Sequence, residues 1–304
     1  MTNEQRLKNL SVPTEPVDVV LDTDAYNEID DQFAIAYLLR SGDKLRTKAI
    51  YAAPFFNSRS TDPADGMNKS YDEVLKLLSL LKIEKPVLRG SEQYLPNEKT
   101  PVLSPAAEDL AKRALEYSPE HPLYVVAIGA ITNVASAILL EPKVAENTVV
   151  VWLGGHARHF HDTKEFNLWQ DVAAARVVMA SGVPFVQLPC CGVVSAFTVS
   201  GPELEAWLVG KNPLADYLAK NTIEEVERYA KGRAWTRCIW DVTAVAWRLN
   251  GNGRFMDSRI LPTVLPSYEG VYEEQPLSHD MRYVYFVKRD TLLNDLIGRL
   301  TDRL

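Results

Sequence analysis

Several features that mark common protein classes are scarce or absent in this chain of 304 residues. It has three cysteines, Cys190, Cys191 and Cys238, and no C-x-x-C pair, so neither a disulfide framework nor a zinc or redox motif is indicated. We expect reduced, buried thiols, as in cytosolic proteins. Lys and Arg number 33 against 40 Asp and Glu. That acidic balance, without a basic stripe, argues against nucleic acid as a partner.

The sequence also shows no signal peptide and no transmembrane segment. Residues 1–16 are mostly polar and contain no apolar region typical of a signal peptide. No apolar run approaches the roughly 18 residues that a membrane helix needs. The motifs G-x-G-x-x-G, G-x-x-x-x-G-K-[ST] and G-x-S-x-G do not occur, so nucleotide cofactors and a serine nucleophile have no support. These absences predict a cytoplasmic protein that acts on a small molecule.

The chain does contain apolar runs of strand length that alternate with helix-length segments. The predicted strands are Val17–Leu21, Lys48–Ala53, Pro86–Leu88, Leu123–Ala127, Val149–Leu153 and Met281–Val287. The predicted helices are Asp31–Leu39, Met67–Leu81, Pro105–Tyr117, Thr132–Leu140, Val172–Ala180, Glu224–Lys231 and Val242–Leu249, with a last one over Leu293, Leu296, Ile297, Leu300 and Leu304. Within Met67–Leu81, the spacing of Leu75, Leu78 and Leu81 predicts one shared apolar face.

Strands separated by helices predict an α/β fold with a mainly parallel, open sheet and helices on both faces. From Gly201 onward the predicted structure is mainly helical. No linker, repeat or low-complexity stretch divides the chain, so we expect a single domain over residues 1–304. Ligands bind such sheets at the carboxyl ends of the strands, where the long connections Phe55–Gly66 and Gly154–Lys164 are expected.

An acidic segment follows the first predicted strand. Asp22, Asp24, Glu28, Asp30 and Asp31 stand within ten residues, between the strand and the next helix. Carboxylates crowded at one sheet edge repel each other, so a cation usually accompanies them, and oxygen ligands suit Ca²⁺ or Mg²⁺. The alternative is that Asp30 caps the helix while the other acids are solvated.

Three further segments carry polar groups at predicted strand ends or helix starts. They are Lys164–Asn167, the pair Trp240–Asp241, and the glycine turn Ala127–Asn133. In the first segment, Glu and Asn can form hydrogen bonds with sugar hydroxyls. In the second, a carboxylate at a helix start can bind a metal. In the third, a glycine turn leaves backbone groups free for a ligand. Each segment also has an interpretation without a ligand. In the same order, these are a polar turn before a helix, a helix cap and a strand-to-helix turn.

Taken together, these segments resemble the inosine–uridine-preferring nucleoside hydrolase family. Its signature is a strand ending D-T-D-P-G-x-D-D, then a T-N turn, an E-F-N loop and a late Asp at a helix start. Related elements occur here in the same order, from Asp22 to Asp241. The resemblance covers most of the chain, and the joint occurrence is far more specific than any one motif.

The resemblance implies a fold, a reaction and a set of residue roles. Asp24, Asp31 and Asp241 would bind Ca²⁺ through their carboxylates, and Thr132 would add its backbone carbonyl. Asp30 and Asn167 would hold the 2′- and 3′-hydroxyls of a ribose, with Glu165 near the 5′ side. A water molecule at the ion would attack the N-glycosidic bond of a nucleoside or related ribosyl compound, with Asp24 accepting its proton. A homo-oligomer is also implied.

Trp240 is a candidate for stacking on a purine base, as a tryptophan at this place does in one branch of the family, while other members carry a histidine suited to acid catalysis. Ordinary core packing is the alternative.

This chain departs from the family signature in the acidic segment and in two loops. Asp24-Ala25-Tyr26-Asn27-Glu28-Ile29-Asp30-Asp31 is two residues longer than D-P-G-x-D-D and lacks Pro and Gly, so Tyr26 and Glu28 are candidates for reshaping the site. The family's frequent G-N after the second strand is replaced by Pro54-Phe55-Phe56-Asn57. His159, with His156 and His161, stands where many members place a sugar-binding Asn. It is a candidate sugar contact or general acid, and a plain loop residue is the alternative.

Two other functions fit parts of the pattern. A haloacid-dehalogenase-like phosphohydrolase would use Asp22 as nucleophile with Mg²⁺, since Asp22-Thr23-Asp24 matches a D-x-D start. That alternative leaves Glu165, Asn167 and Trp240 without roles. A non-catalytic protein that binds a sugar or nucleoside is the other alternative, because the altered loops change the surroundings of the metal site.

Overall fold

A computed structural model describes residues 1–303 of the chain. Its strands are β1 (Val17–Thr23), β2 (Leu45–Ala52), β3 (Val87–Arg89), β4 (Leu123–Ala127), β5 (Thr148–Leu153), β6 (Phe185–Leu188), β7 (Thr198–Val199), β8 (Arg237–Cys238), β9 (Met256–Pro262) and β10 (Asp280–Val287). Its α-helices are α1 (Asn3–Asn9), α2 (Asp31–Leu39), α3 (Pro63–Leu81), α4 (Pro105–Ala114), α5 (Thr132–Leu140), α6 (Val144–Asn147), α7 (Phe166–Gln170), α8 (Val172–Ala180), α9 (Gly201–Trp207), α10 (Pro213–Ala230), α11 (Val242–Arg248) and α12 (Arg289–Leu300).

Eight of the strands form one sheet in the order β3-β2-β1-β4-β5-β6-β10-β9. All neighbouring pairs are parallel except β10 and β9, which are antiparallel. β7 and β8 form a separate antiparallel pair. The predicted α/β fold with a mainly parallel open sheet is therefore confirmed.

Alternate residues of the strands enter two apolar cores, one on each face of the sheet. Val19 and Leu21 of β1 pack with α2, α3, α11 and α12 on one face. Val20, between them, packs with α4, α5 and α8 on the other face. This alternation follows from the two-residue period of a strand. Both faces are covered, which explains why the strands read as continuous apolar runs.

Several element predictions match the structure, and others are wrong in detail. α2, α5, α8 and β4 have the predicted bounds, but the helix predicted over Pro105–Tyr117 ends at Ala114. Leu75 is 42% exposed, because the buried stripe of α3 runs through Val74, Leu77, Leu78 and Leu81 instead. Leu304 lies outside the described residues.

Two strands of the large sheet were not predicted. β6 has four residues between Pro184 and Pro189, and its apolar run is interrupted by Gln187. Gln187 is tolerated in the core because its amide donates to the Gly154 carbonyl and the Tyr272 hydroxyl. β9 lies in the part of the chain that was predicted to be mainly helical, and as the exposed edge strand it has no continuous apolar pattern.

Burial of the cysteines differs from the prediction at two positions. All three thiols are free. Cys190 is buried as expected, whereas Cys191 and Cys238 are only partly buried. No helix within residues 1–303 combines the length and apolar character required to cross a bilayer.

Candidate active site

Three carboxylates from distant parts of the chain meet at the carboxyl edge of the sheet. Ligand oxygens of Asp30, Asp31 and Asp241 all lie within 4.8 Å of one another. Asp30 and Asp31 follow β1 and begin α2, while Asp241 immediately precedes α11. Parallel strands end at the same edge, and α2 and α11 pack against the same face of the sheet, so residues far apart in sequence converge there.

Asp24, directly after β1, was predicted to share the ion with Asp31 and Asp241, but Asp30 and not Asp24 completes the set of carboxylates within 4.8 Å of one another. Asp24 still belongs to the same electrostatic group. It is fully buried, and burial followed by the charges of Asp31 and Asp30 holds its pKa well above the usual range. Burial likewise raises the pKa of Asp241, and the negative charge of Asp24 is among the charges that raise it further. We refer to Asp24, Asp30, Asp31 and Asp241 as the acid cluster. Their exposed fractions are 0%, 1%, 1% and 3%.

Three buried carboxylate oxygens of the acid cluster accept no hydrogen bond from the part of the chain that the structure describes. Both carboxylate oxygens of Asp24 and Oδ2 of Asp30 are buried without a hydrogen-bond partner within residues 1–303. A buried, unpaired carboxylate is unfavourable by several kcal/mol, on the order expected for an ion removed from water. Carboxylate oxygens without donors are what a hard cation requires. The residues present therefore fit a bound divalent ion.

Neither helix start uses its aspartate as a cap. Asp30 and Asp241 occupy the N-cap positions of α2 and α11, but neither side chain accepts a bond from the following backbone amides. Asp31 instead accepts a bond from the Thr23 hydroxyl, and burial raises its pKa to about 7. The capping interpretation of these residues is wrong.

The glycine turn after β4 supports the acid cluster at close range. A Cβ at Gly129 would lie 3.0 Å from Cγ of Asp24, so a side chain there would press on this carboxylate. The carbonyl of Gly129 accepts a hydrogen bond from the Trp152 indole at 3.1 Å. Thr132 is buried at the start of α5, and its hydroxyl donates to Asp171 at 2.6 Å. Those contacts fix the segment that was predicted to offer a backbone carbonyl.

Asp22 lies next to this turn, outside the set of carboxylates that approach within 4.8 Å. Its Oδ1 accepts a bond from the Asn133 amide at 2.8 Å, and burial raises its pKa to about 7. Its other oxygen, Oδ2, is buried without a hydrogen-bond partner within residues 1–303, so Asp22 is bonded to the turn through Oδ1 alone.

Glu165 and Asn167 are both buried after the loop that follows β5, and both are engaged by the backbone. Glu165 caps α7, accepting from the amides of Asn167 and Leu168, and also from Gly155 at 2.9 Å. The side-chain amide of Asn167 donates to the carbonyls of Ile128 and Leu153. Its amide hydrogens are thereby used, which leaves the amide oxygen to accept a ligand hydroxyl. Glu165 therefore caps α7, within the polar turn before a helix that was the alternative interpretation of this segment.

Trp240 and His159 occupy different surroundings. Trp240 is partly buried and packs against the core on the α2 and α11 face, adjacent in sequence to Asp241. His159 is exposed on the loop after β5 and lines a cavity with Arg158, Val193, Arg259, Tyr283 and Tyr285. No member of the acid cluster lines that cavity.

Sequence reasoning missed the contacts that hold the longer acidic loop in place. Glu28 forms an ion pair with Arg237 of β8, and its backbone carbonyl accepts a bond from Arg59 at 3.3 Å. Arg59 also pairs with Glu225 of α10 at 2.7 Å. The Asn57 amide donates to Asn27 Oδ1 at 2.6 Å. Ion pairs and hydrogen bonds thus hold the loop of residues 25–29 against several elements. In the sequence, this was indicated only by the extra length of the loop.

Cys190 is a second residue that the sequence did not mark. Its thiol lies in hydrogen-bond contact with Glu165, and burial together with the charges of Glu165 and Asp241 raises the thiol pKa well above its usual value. A protonated thiol at this position donates a hydrogen bond to the Glu165 carboxylate.

The fold and the site define an α/β enzyme with a buried acidic centre at the carboxyl edge of a parallel sheet. The family model described as inosine-uridine preferring nucleoside hydrolase matches residues 19–280. The chain belongs to this family and is an N-glycosyl hydrolase of the nucleoside hydrolase type. Members of the family act on small-molecule nucleosides, and the family typically binds a metal ion.

Individual relatives differ in their named substrates. The pyrimidine-specific ribonucleoside hydrolase RihA of Salmonella arizonae is 27% identical over 259 residues, which is 76% of this chain and 79% of the relative. Among solved structures, an inosine-guanosine nucleoside hydrolase matches with a TM-score of 0.75 at 18% identity, over 94% of this chain and 98% of that one. A purine-preferring ribonucleoside hydrolase from Gardnerella vaginalis matches with a TM-score of 0.74 at 19% identity, over the same shares. The last two likenesses concern the fold.

Proposed function

We propose that this protein is a calcium-dependent hydrolase that cleaves the N-glycosidic bond of a ribonucleoside or a related ribosyl compound. One observation carries the proposal: the buried oxygens of Asp24 and Asp30 lack partners beside Asp31 and Asp241. Oxygen ligands without nitrogen or sulfur suit Ca²⁺, which accepts six to eight of them in flexible geometry.

Asp24, Asp31 and Asp241 would hold the ion through carboxylates, together with the backbone carbonyl of Thr132. When bound, the ion would lower the pKa of a water molecule and orient it. Asp24 accepts the proton as the water oxygen bonds to the anomeric carbon. The C–N bond breaks with its electron pair leaving on the base. Positive charge develops on the sugar ring in the transition state, and the carboxylates of the acid cluster stabilise it.

The remaining site residues bind the substrate. Asp30 and the free amide oxygen of Asn167 accept hydrogen bonds from the 2′- and 3′-hydroxyls. Glu165 lies near the 5′ side, and its fixed position orients the loop that carries Asn167. Trp240 stacks on the leaving base, since an indole presents a large aromatic face. His159, exposed on the loop after β5, contacts the sugar or donates a proton to the leaving base.

A panel of purine and pyrimidine ribonucleosides tests the proposal. Both classes are needed because the relatives named above differ in base preference. Free base and reducing sugar are followed with calcium and with a chelator. We expect release that requires calcium and is lost in Asp24→Asn but retained in Asp72→Asn, a matched change at an exposed position of α3. Release that survives chelation and Asp24→Asn would contradict the proposal.

A second candidate is a nucleoside- or sugar-binding protein that has lost turnover. The observation in its favour is the closed acid cluster beneath the tied loop of residues 25–29. Calorimetry that detects ribose or nucleoside binding without any base release would establish it. The dehalogenase-like alternative is not retained, because the chain belongs to a different family.

We further propose a single domain, a homo-oligomeric assembly and a cytoplasmic location. Light scattering coupled to size-exclusion chromatography measures the oligomer directly, and a monomer at micromolar concentration would contradict that part of the proposal. One cooperative unfolding transition is expected for a single domain.

A further inference from the structure

A cavity of about 330 Å³ lies beside the loop that leads from β5 to Glu165. It is lined by Arg158, His159, Val193, Arg259, Tyr283 and Tyr285. We call it the arginine cavity. Two arginines, two tyrosines and a histidine supply donors, and the lining contains no carboxylate.

The guanidinium groups of the arginine cavity have no acidic partner within residues 1–303. Arg158 donates from Nη2 to the Pro262 carbonyl at 2.8 Å, while its Nε is buried without any acceptor. Its guanidinium lies 5.4 Å from the ring centroid of Tyr283, and that of Arg259 lies 5.6 Å from Tyr285. An arginine stays charged in proteins. Arg158 is partly buried and Arg259 is exposed, so an anion in the cavity would supply the acceptor that the buried Arg158 Nε lacks and would also meet the charge of Arg259.

The arginine cavity lies at the same sheet edge as the acid cluster. β5 ends at Leu153, and the loop that follows carries Arg158 before it reaches Glu165 and Asn167. Tyr283 of β10 pairs in register with Gln187, near the carboxyl end of β6. In the strand order β1-β4-β5-β6-β10, the acid cluster is at one end, the predicted sugar contacts are in the middle, and the cavity is at the other end.

The loop after β5 carries two residues of the cavity wall, Arg158 and His159, and also the backbone amide that contacts Glu165. The Gly155 amide donates to Glu165 at 2.9 Å. The next residue, His156, accepts from the Cys191 amide at 3.3 Å. Across the loop, a Cβ at Gly192 would lie 3.0 Å from Nε2 of His159. The cavity and the predicted 5′ side of the sugar thus share one packed loop.

We propose that the arginine cavity binds the phosphate of a 5′-phosphorylated ribosyl substrate. The inference rests on the proposed function, since it places the sugar between the acid cluster and the cavity. A phosphate brings close to two negative charges and three acceptor oxygens. Arg158 and Arg259 offer forked donors that match those oxygens, and the tyrosine hydroxyls supply further ones.

Calorimetry on the full chain with calcium tests the inference, comparing ribose with ribose 5-phosphate. We expect ribose 5-phosphate to bind at least about tenfold more tightly, the factor that one charge-assisted hydrogen bond supplies. Arg259→Gln, at an exposed position of β9, should remove this preference, and Arg259→Lys should keep only part of it because lysine lacks the fork. Arg303→Gln, an exposed arginine near the carboxyl terminus, is the matched control and should leave the preference intact.

Equal affinities for the two sugars in the unchanged protein would overturn the inference, and so would a phosphate preference that survives Arg259→Gln. A parallel assay of base release separates this failure from failure of the proposed function. Calcium-dependent cleavage of nucleosides without any phosphate preference refutes only the cavity. A phosphate preference lost in Arg259→Gln, with no base released from nucleosides or their 5′-monophosphates, refutes hydrolysis and retains the cavity as an anion site.

Discussion

The buried acid cluster should make the stability of the chelated protein depend on pH in an unusual direction. Burial raises the pKa of Asp31 from 3.8 to about 7. Between those values the folded chain holds a proton that the unfolded chain has released. The free energy of unfolding therefore falls as the pH rises from about 4 to about 7, and above pH 7 the contribution of this proton is lost. At 1.36 kcal/mol per pKa unit, the loss is on the order of 4 kcal/mol.

Calcium should offset more than half of this loss, because an ion that binds only the folded state stabilises it. At a hundred times the dissociation constant the gain is about 2.7 kcal/mol. With roughly 2 to 4 °C per kcal/mol for large domains, Tm should rise by about 5–10 °C. The rise should be greater at pH 8 than at pH 6, since the carboxylates must be deprotonated to bind the ion.

Thermal melts with chelator or calcium at pH 6 and pH 8 measure both effects. Asp31→Asn removes one of the repelling charges, so its chelated form should melt higher than the unchanged protein at pH 8 and respond little to calcium. Asp72→Asn should behave like the unchanged protein. The reasoning fails if the chelated Tm does not change with pH, or if calcium shifts Asp31→Asn as much as the unchanged protein.

Three further predictions concern turnover and the loop above the acid cluster. Asp24→Asn should lower kcat for base release by about 10²–10⁴, the usual contribution of a general base, and an unchanged kcat excludes Asp24 from that role. Glu28→Gln and Arg237→Gln should each raise KM while changing Tm by no more than a few degrees, as expected for a partly exposed ion pair. The double variant should match the single ones, and additive effects would show that the pair does not act together. Trp240→Ala should raise KM for purine nucleosides by about tenfold, and Trp240→Phe should raise it much less because the aromatic face is kept. Equal increases of KM in the two variants would show that Trp240 only packs against the core.

Helix starts show what sequence could and could not predict about this site. Asp30, Asp241 and Glu165 each occupy the N-cap position of a helix. Only Glu165 accepts bonds from the following amides, whereas Asp30 and Asp241 turn toward the other carboxylates. A single motif could not separate these outcomes, because local spacing is the same for a cap and for a ligand. The order of several motifs along the chain predicted the family, but it assigned all three residues to the site and did not distinguish the cap from the other two.

Elements that depend on distant partners escaped prediction for the same physical reason. β6 is four residues long and becomes a strand only between β5 and β10. The pairing of Glu28 with Arg237 joins a loop after β1 to β8, and nothing in the local sequence of either segment indicates the other. By contrast, β4 and α5 were predicted with their full bounds, because each is a long apolar run bounded by turn residues.

The carboxylates that converge on this centre come from both ends of the folded chain. Asp24 and Asp31 precede almost every strand, while Asp241 follows all of the sheet except its last two strands. A nascent or partly unfolded chain therefore offers no complete set of oxygens. Ion binding should report that nearly the whole polypeptide has assembled, and free calcium in the surroundings would favour completed molecules over fragments and folding intermediates.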